Sequence, residues 1–186
     1  MNIILMGPQG SGKGTQAKLL SEKLNLFYFE MGGFLRKLAE KNLLVSEIIN
    51  KRGELLPDDM FFFAMKKLLG EKVSEGKGII LDGFPRTLRQ YGLLKNWFSE
   101  ENIKIDMVIF LDVGEKESIK RLSVRRIYEK RDDDQPEQIK KRLQIFDKET
   151  KPLLDIFRKE GILVKINGER PVDEIQKDLV EIIESK

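Results

Sequence analysis

The sequence contains neither cysteine nor histidine. Without cysteine there can be no disulfide and no thiolate zinc site, and without histidine no imidazole general base or imidazole metal ligand. Chemistry carried out by this chain must therefore use carboxylates, lysine, arginine and backbone groups. Proline is scarce, with six residues, and no apolar run approaches the ~20 residues of a membrane-spanning helix. There is no internal repeat, no low-complexity tract and no long cationic block. The 34 basic and 31 acidic residues are interspersed, leaving a net charge of +3, so neither nucleic acid nor a membrane is the expected partner. Met1-Asn2 lead into an apolar strand with no cationic leader and apolar stretch, and a cytoplasmic location is the resulting expectation. With 40% hydrophobic and 35% charged residues over 186 positions, the chain should form one well-cored globular domain.

What is present is concentrated near the start. Gly7-Pro8-Gln9-Gly10-Ser11-Gly12-Lys13-Gly14-Thr15 follows the apolar run Ile3 to Met6 and precedes the amphipathic run Gln16 to Leu24. Gly-x4-Gly-Lys between a strand and a helix is a phosphate-binding loop. Backbone N–H groups can wrap a polyphosphate only where side chains are absent, and the glycines remove them. Lys13 then reaches the outer phosphates, and the positive end of the following helix adds to the attraction. Nucleoside triphosphate binding follows. Gly14 stands where a Ser or Thr usually meets magnesium, and the hydroxyl comes one residue later, at Thr15.

Five short apolar runs, Ile3 to Met6, Leu26 to Phe29, Ile79 to Leu81, Met107 to Leu111 and Ile162 to Ile166, read as buried parallel strands. Between them lie helical stripes, such as Leu88, Tyr91, Leu94 and Phe98, or Ile175, Leu179, Ile182 and Ile183. Alternation of this kind predicts a doubly wound α/β fold. The third run ends in Asp82, a carboxylate suited to holding magnesium through water. Phe61-Phe62-Phe63 is expected in the core.

Gly7 to Thr15 with Gln16, Asp82-Gly83-Phe84-Pro85-Arg86-Thr87 with Gln90, Arg121 and Arg125, Arg131 with Asp133-Asp134, and Arg142 together resemble the adenylate kinase family over almost the whole chain. The resemblance implies a P-loop nucleoside triphosphate hydrolase-like α/β/α fold in three layers with a five-stranded parallel sheet. It divides residues 1–186 into a core (1–29, 58–124 and 136–186), a helical monophosphate-binding lobe (30–57) and a lid (125–135). Only five residues separate Arg125 from Arg131, which makes the lid the short form. The implied activity is transfer of the γ-phosphoryl group of Mg-ATP to AMP, giving two ADP, by a monomer that needs ATP and magnesium and no zinc.

The resemblance also implies roles. Gly10, Ser11, Gly12, Lys13, Gly14 and Thr15 would hold the ATP phosphates together with Arg125, Arg121 would stack on the ATP base, and the backbone of Arg170 would read that base. Arg36 and Arg86 would grip the acceptor phosphate, while Arg131 and Arg142 close on the group in transfer. Met31, Glu54, Leu55 and Leu56 would line the acceptor pocket with Gly83, Phe84 and Pro85. Gln90 would discriminate the acceptor, since an amide can pair with both the amine and the ring nitrogen of adenine. Guanidinium suits these tasks because it binds two phosphate oxygens in one plane and stays charged. Arg121 and Arg125, four residues apart, share one helix face. Asp132, Asp133 and Asp134 lack calcium-loop spacing and are expected to pair with arginine when the lid closes.

The chain departs from the family where Met31-Gly32-Gly33 replaces the usual Thr-Gly-Asp ahead of Phe34-Leu35-Arg36. A hydroxyl and a carboxylate are lost, and Glu30 is the residue placed to substitute for part of this. A UMP/CMP-type kinase on the same fold, and a nucleotide-binding regulator with weak transfer, are the alternatives.

Overall fold

Five apolar runs, closed at their far ends by a polar residue or by the glycine loop, pair into a parallel sheet in the order β2-β3-β1-β4-β5. The strands are β1 (Asn2–Met6), β2 (Phe27–Glu30), β3 (Ile79–Asp82), β4 (Met107–Asp112) and β5 (Leu163–Asn167). The computed structural model describes residues 1–48, 56–129 and 135–185. Every strand expected from the sequence is present, with its ends shifted by at most one residue.

Side chains alternate across a strand, so adjacent apolar residues must each find a separate core. Ile4 and Met6 face one side of the sheet with Ile79, Leu81, Val108 and Phe110. That side is covered by α2 (Met31–Lys41), α4 (Phe62–Ser74), α5 (Leu88–Glu100) and α8 (Leu153–Lys159). Ile3 and Leu5 face the other side with Ile80, Ile109 and Ile166, beneath α1 (Lys13–Leu24) and α9 (Val172–Glu184). Two-sided burial is what an all-parallel sheet requires, and it produces three layers. A small third cluster of Leu122, Ile139 and Leu143 joins α6 (Glu115–Glu129) to α7 (Pro136–Ile145).

The register aligns the strand ends. Asp82 is level with both Leu5 and Glu30, and Asp112 is level with Asn167. The polar residues that close β2 to β5 therefore share one edge with the glycine loop leaving the central strand, the edge at which open α/β sheets bind ligands. Beyond β2, α2 gives way to the single turn α3 (Leu43–Ser46), where the Asn42 side chain accepts hydrogen bonds from the N–H groups of Leu44 (3.0 Å) and Val45 (3.3 Å). Of the segment expected as a lid, Arg125 to Glu129 form the last turns of α6 and Pro136 opens α7. Gly53, Glu54, Leu55, Arg131, Asp132, Asp133 and Asp134 lie outside the described residues. Among the described residues no helix is long and apolar enough to cross a membrane.

Two packing expectations need correction. Leu88 is 55% exposed, and the buried stripe of α5 is Tyr91, Leu94, Trp97 and Phe98. Leu88 occupies the first turn, ahead of the part of the helix that lies on the sheet. The Phe61-Phe62-Phe63 cluster is also divided. Phe61 is buried edge-on against Phe84, Phe62 packs beside the same ring, and Phe63 is 79% exposed. Successive residues at a helix start point about 100° apart, so three in a row cannot all face the core. Phe61→Ala should therefore cost about 3–5 kcal/mol of stability, whereas Phe63→Ala should change it by less than ~0.5 kcal/mol. Denaturant unfolding of the two variants measures the difference.

Candidate active site

The glycine loop has its shape because two of its glycines sit where no side chain fits. A Cβ on Gly7 would come within 2.7 Å of the Leu111 carbonyl oxygen, and one on Gly10, whose φ is 83°, within 2.8 Å of the Ser118 carbonyl. α1 begins at Lys13 with no acidic residue in its first turn, leaving the helix's positive end for an external anion. Lys13 arches back over the loop, and its Nζ donates to the carbonyls of Gly7 (2.9 Å) and Pro8 (2.8 Å) and to Ser11 Oγ (3.3 Å). Burial pushes its pKa down to about 8; Asp82 pulls it back up, and Arg86 and Arg125 push it further down.

Across the loop, Asp82 closes β3 and its Oδ2 accepts a hydrogen bond from the Tyr28 hydroxyl at 3.1 Å. Burial raises the pKa of this carboxyl, against the opposing effects of the Lys13 charge and the Tyr28 hydrogen bond. The Tyr28 phenol is itself driven upward by burial and by the neighbouring carboxylates Asp82 and Glu30, so it remains a donor. Gly14 lies against this pair, its would-be Cβ 3.5 Å from both Asp82 Oδ2 and the Tyr28 hydroxyl. Among the described residues no cluster of three carboxylates could hold a metal by itself. Asp82 beside a phosphate loop, with Thr15 on the same cavity wall, suits an ion that keeps most of its water and takes further oxygens from a bound phosphate.

The loop, β3 and α6 to α7 wall a cavity of about 920 Å³, near the upper end of the roughly 300–1,000 Å³ range for small-molecule sites. It gathers Lys13, Arg36, Arg86, Arg121, Arg125 and Arg142 from five separate elements, with Gly10, Gly12, Gly14, Thr15, Asp82, Gly83 and Pro85 also on its wall. Arg86 is held by its Nε–H to the Gly83 carbonyl (2.7 Å), and Thr150 donates to the Arg86 carbonyl (2.8 Å). Arg121 donates to Glu117 (2.8 Å) on its own helix and to the Gly168 carbonyl (2.9 Å), which fastens α6 to the loop after β5. Arg36 Nη2 donates to Glu30 Oε1 at 2.8 Å. The Glu30 carboxylate fills the space over Gly33, 3.0 Å from where a Cβ would stand, so the anion missing at position 33 is supplied by the preceding strand.

Other expected site residues stand behind this wall. Ser11 is buried under the loop; Met31, Leu56 and Phe84 are buried in the core. Arg170 turns its side chain to Asp178 on α9, and its neighbour Glu169 accepts from Gly114 N, after β4, at 2.9 Å. Gln90 is buried, its amide engaged by Asp58 and by the Arg86 backbone. Sequence reasoning missed Tyr28, whose position in an apolar strand reads as core, and Thr150, which carries no local signal.

A parallel sheet whose central strand opens into a glycine loop, facing a cavity lined with arginine, defines the class of P-loop proteins that bind and transfer phosphoryl groups. A family model described as "Adenylate kinase" matches residues 5–162. Proteins named "Adenylate kinase" from Methanocella arvoryzae and Chloroherpeton thalassium are each 36% identical, over 209 and 216 aligned positions. Those alignments cover 96% and 100% of this chain, and 96% and 99% of the relatives. The one from Archaeoglobus fulgidus is 36% identical over 214 positions, covering 99% of this chain and 98% of its own. The chain belongs to the adenylate kinase family, the nucleoside monophosphate kinases.

Lys13, with a pKa of about 8, loses charge as the pH rises past that value, while a bound polyphosphate favours the charged form. Binding of a nucleoside triphosphate should therefore take up a proton between about pH 8 and 9, with affinity falling by up to about tenfold per pH unit. Calorimetry in buffers of different ionisation enthalpy detects the proton. Lys13→Arg, charged throughout, should bind without taking it up.

Proposed function

We propose that this chain transfers the γ-phosphoryl group of Mg-ATP directly and reversibly to AMP, giving two ADP. The observation that carries this reading is the convergence of Lys13, Arg36, Arg86, Arg125 and Arg142 on one cavity beside Asp82. Two polyanions must meet there, and transfer through a loose transition state depends mainly on positioning and charge stabilisation. The bond from the γ-phosphorus to its bridging oxygen breaks as an oxygen of the acceptor phosphate bonds to the same phosphorus. No covalent enzyme intermediate is needed.

The loop N–H groups, Lys13 and Arg125 hold the donor phosphates. Arg121 stacks on the donor base, and the Arg170 backbone reads its edge. Arg36, oriented by Glu30, and Arg86 hold the acceptor phosphate, and Gln90 pairs with the acceptor base. Arg142 and Arg131 complete the charge around the group in transfer. Asp82 would hold magnesium through water, and the ion would supply charge neutralisation at the phosphates. Closure of the lobe at 30–57 and of the lid at 125–135 excludes water, which would otherwise compete as acceptor. A short lid is supported by the spacing of Arg125 and Arg131, with only five residues between them. Both nucleotide subsites draw on one chain, which supports a monomer, and the soluble nucleotides it uses support a cytoplasmic location.

Initial rates with Mg-ATP and AMP, UMP, CMP or GMP test the assignment. AMP should be the preferred acceptor, and Lys13→Ala should lower kcat by about 10²–10³-fold, as loss of one charge-stabilising donor does elsewhere. Transfer chiefly to another monophosphate would overturn the AMP assignment. Glu30→Gln, which removes a half-exposed ion pair, should raise KM for AMP roughly two- to fivefold with KM for ATP unchanged.

A further inference from the structure

Gln90 sits in the first turn of α5, where its backbone N–H is capped by Thr87 Oγ1 at 3.1 Å. Its side-chain amide is held at both ends. Oε1 accepts the Arg86 N–H at 2.7 Å, and Nε2 donates to Asp58 Oδ1 at 2.9 Å. Asp58 comes from the short 3-10 turn Asp58–Met60 between the lobe and α4, and is 8% exposed. Its other oxygen lies 3.4 Å from Arg89 Nε. An ionised carboxylate only accepts and a backbone N–H only donates, so the two partners impose the same orientation on the amide. A flipped Gln90 would set oxygen against carboxylate and NH2 against N–H inside a buried site, leaving both pairs unsatisfied.

We propose that Asp58 is a specificity-determining residue: together with the Arg86 N–H it keeps the Gln90 amide from flipping, and so makes the acceptor site select a 6-amino purine over a 6-oxo purine. The inference rests on the reading of Gln90 as the residue that pairs with the acceptor base. A carboxamide has two N–H donors and two oxygen lone pairs; one of each is used here, which leaves one donor and one acceptor for a ligand. Adenine presents an amine donor next to a ring-nitrogen acceptor and matches that remainder. Hypoxanthine and guanine present a carbonyl acceptor next to an N–H and match only the flipped amide. Asp58 touches neither substrate in this account and acts through Gln90, as a positioning residue.

The test compares AMP with inosine monophosphate, which differs from it at the purine 6-position and adjoining ring nitrogen. In Asp58→Asn the new amide can accept as well as donate, so only the Arg86 N–H still opposes a turn of Gln90. The ratio of kcat/KM for AMP over inosine monophosphate should fall about tenfold, mainly through a lower KM for inosine monophosphate, with KM for ATP unchanged. Asp58→Ser, whose hydroxyl is equally ambivalent, should act in the same direction and serves if the Asn variant does not fold. In a Gln90→Leu background the Asp58 substitution should leave the ratio where Gln90→Leu alone puts it. A folded Asp58 variant in which both KM values rise together at a constant ratio would overturn the proposal and leave Asp58 a structural role only. A ratio that does not respond to Gln90→Leu would instead overturn the reading of Gln90, and this inference with it.

Discussion

Positive charge crowded into one cavity is the constraint on which the rest of the structure depends. Lys13, Arg86 and Arg125 are close enough to push the Lys13 pKa down, adding to the effect of burial. Such a site persists only where the cations are met by fixed acceptors. Lys13 is held by loop carbonyls, Arg86 by the Gly83 carbonyl, Arg121 by Glu117 and Gly168, and Arg36 by Glu30. Most of these acceptors are neutral dipoles, which stabilise the cations without cancelling their charge toward a bound phosphate. Arg36 and Arg121 are met by the carboxylates of Glu30 and Glu117.

The sheet supplies the rigidity that this arrangement needs. The loop leaves the central strand, and β3 and β4 flank it, so Asp82 and the loop are aligned by backbone register rather than by a flexible connection. Strands buried on both faces cannot slide without exposing apolar residues, and a one-residue slip would turn Asp82 away from the site. By contrast, α6 and α7 are joined by the small cluster of Leu122, Ile139 and Leu143. Packing is thus extensive on both faces of the sheet that carries the glycine loop and light where α6 meets α7.

The Gly32-Gly33 pair shows how local sequence and tertiary contact combine. Read alone, it is a loss of polar function at the start of the lobe. In the fold it leaves room for the Glu30 carboxylate, since a side chain at either glycine would press on the Glu30–Arg36 pair. The anion is therefore present, but it comes from the end of β2 instead of from the first turn of α2.

Some features of this protein follow from the sequence by itself. The glycine loop, the five apolar runs, the four-residue spacing of Arg121 and Arg125 and the absence of cysteine and histidine are all local. Each reports backbone freedom, strand burial, helix periodicity or available chemistry through neighbours in the chain. They were enough for the doubly wound fold, for Lys13 and for the shared face of Arg121 and Arg125, while Arg36, Arg86 and Arg142 were assigned through the resemblance to the family. Others were decided only in three dimensions: the exposure of Leu88 and Phe63, the Tyr28–Asp82 hydrogen bond, the Thr150 support of Arg86, and the grip of Asp58 on Gln90, which lies 32 residues further along the chain. The physical reason is that a side chain's hydrogen-bond partner depends on which surfaces the packed layers bring together, and no repeating period along the chain encodes that pairing.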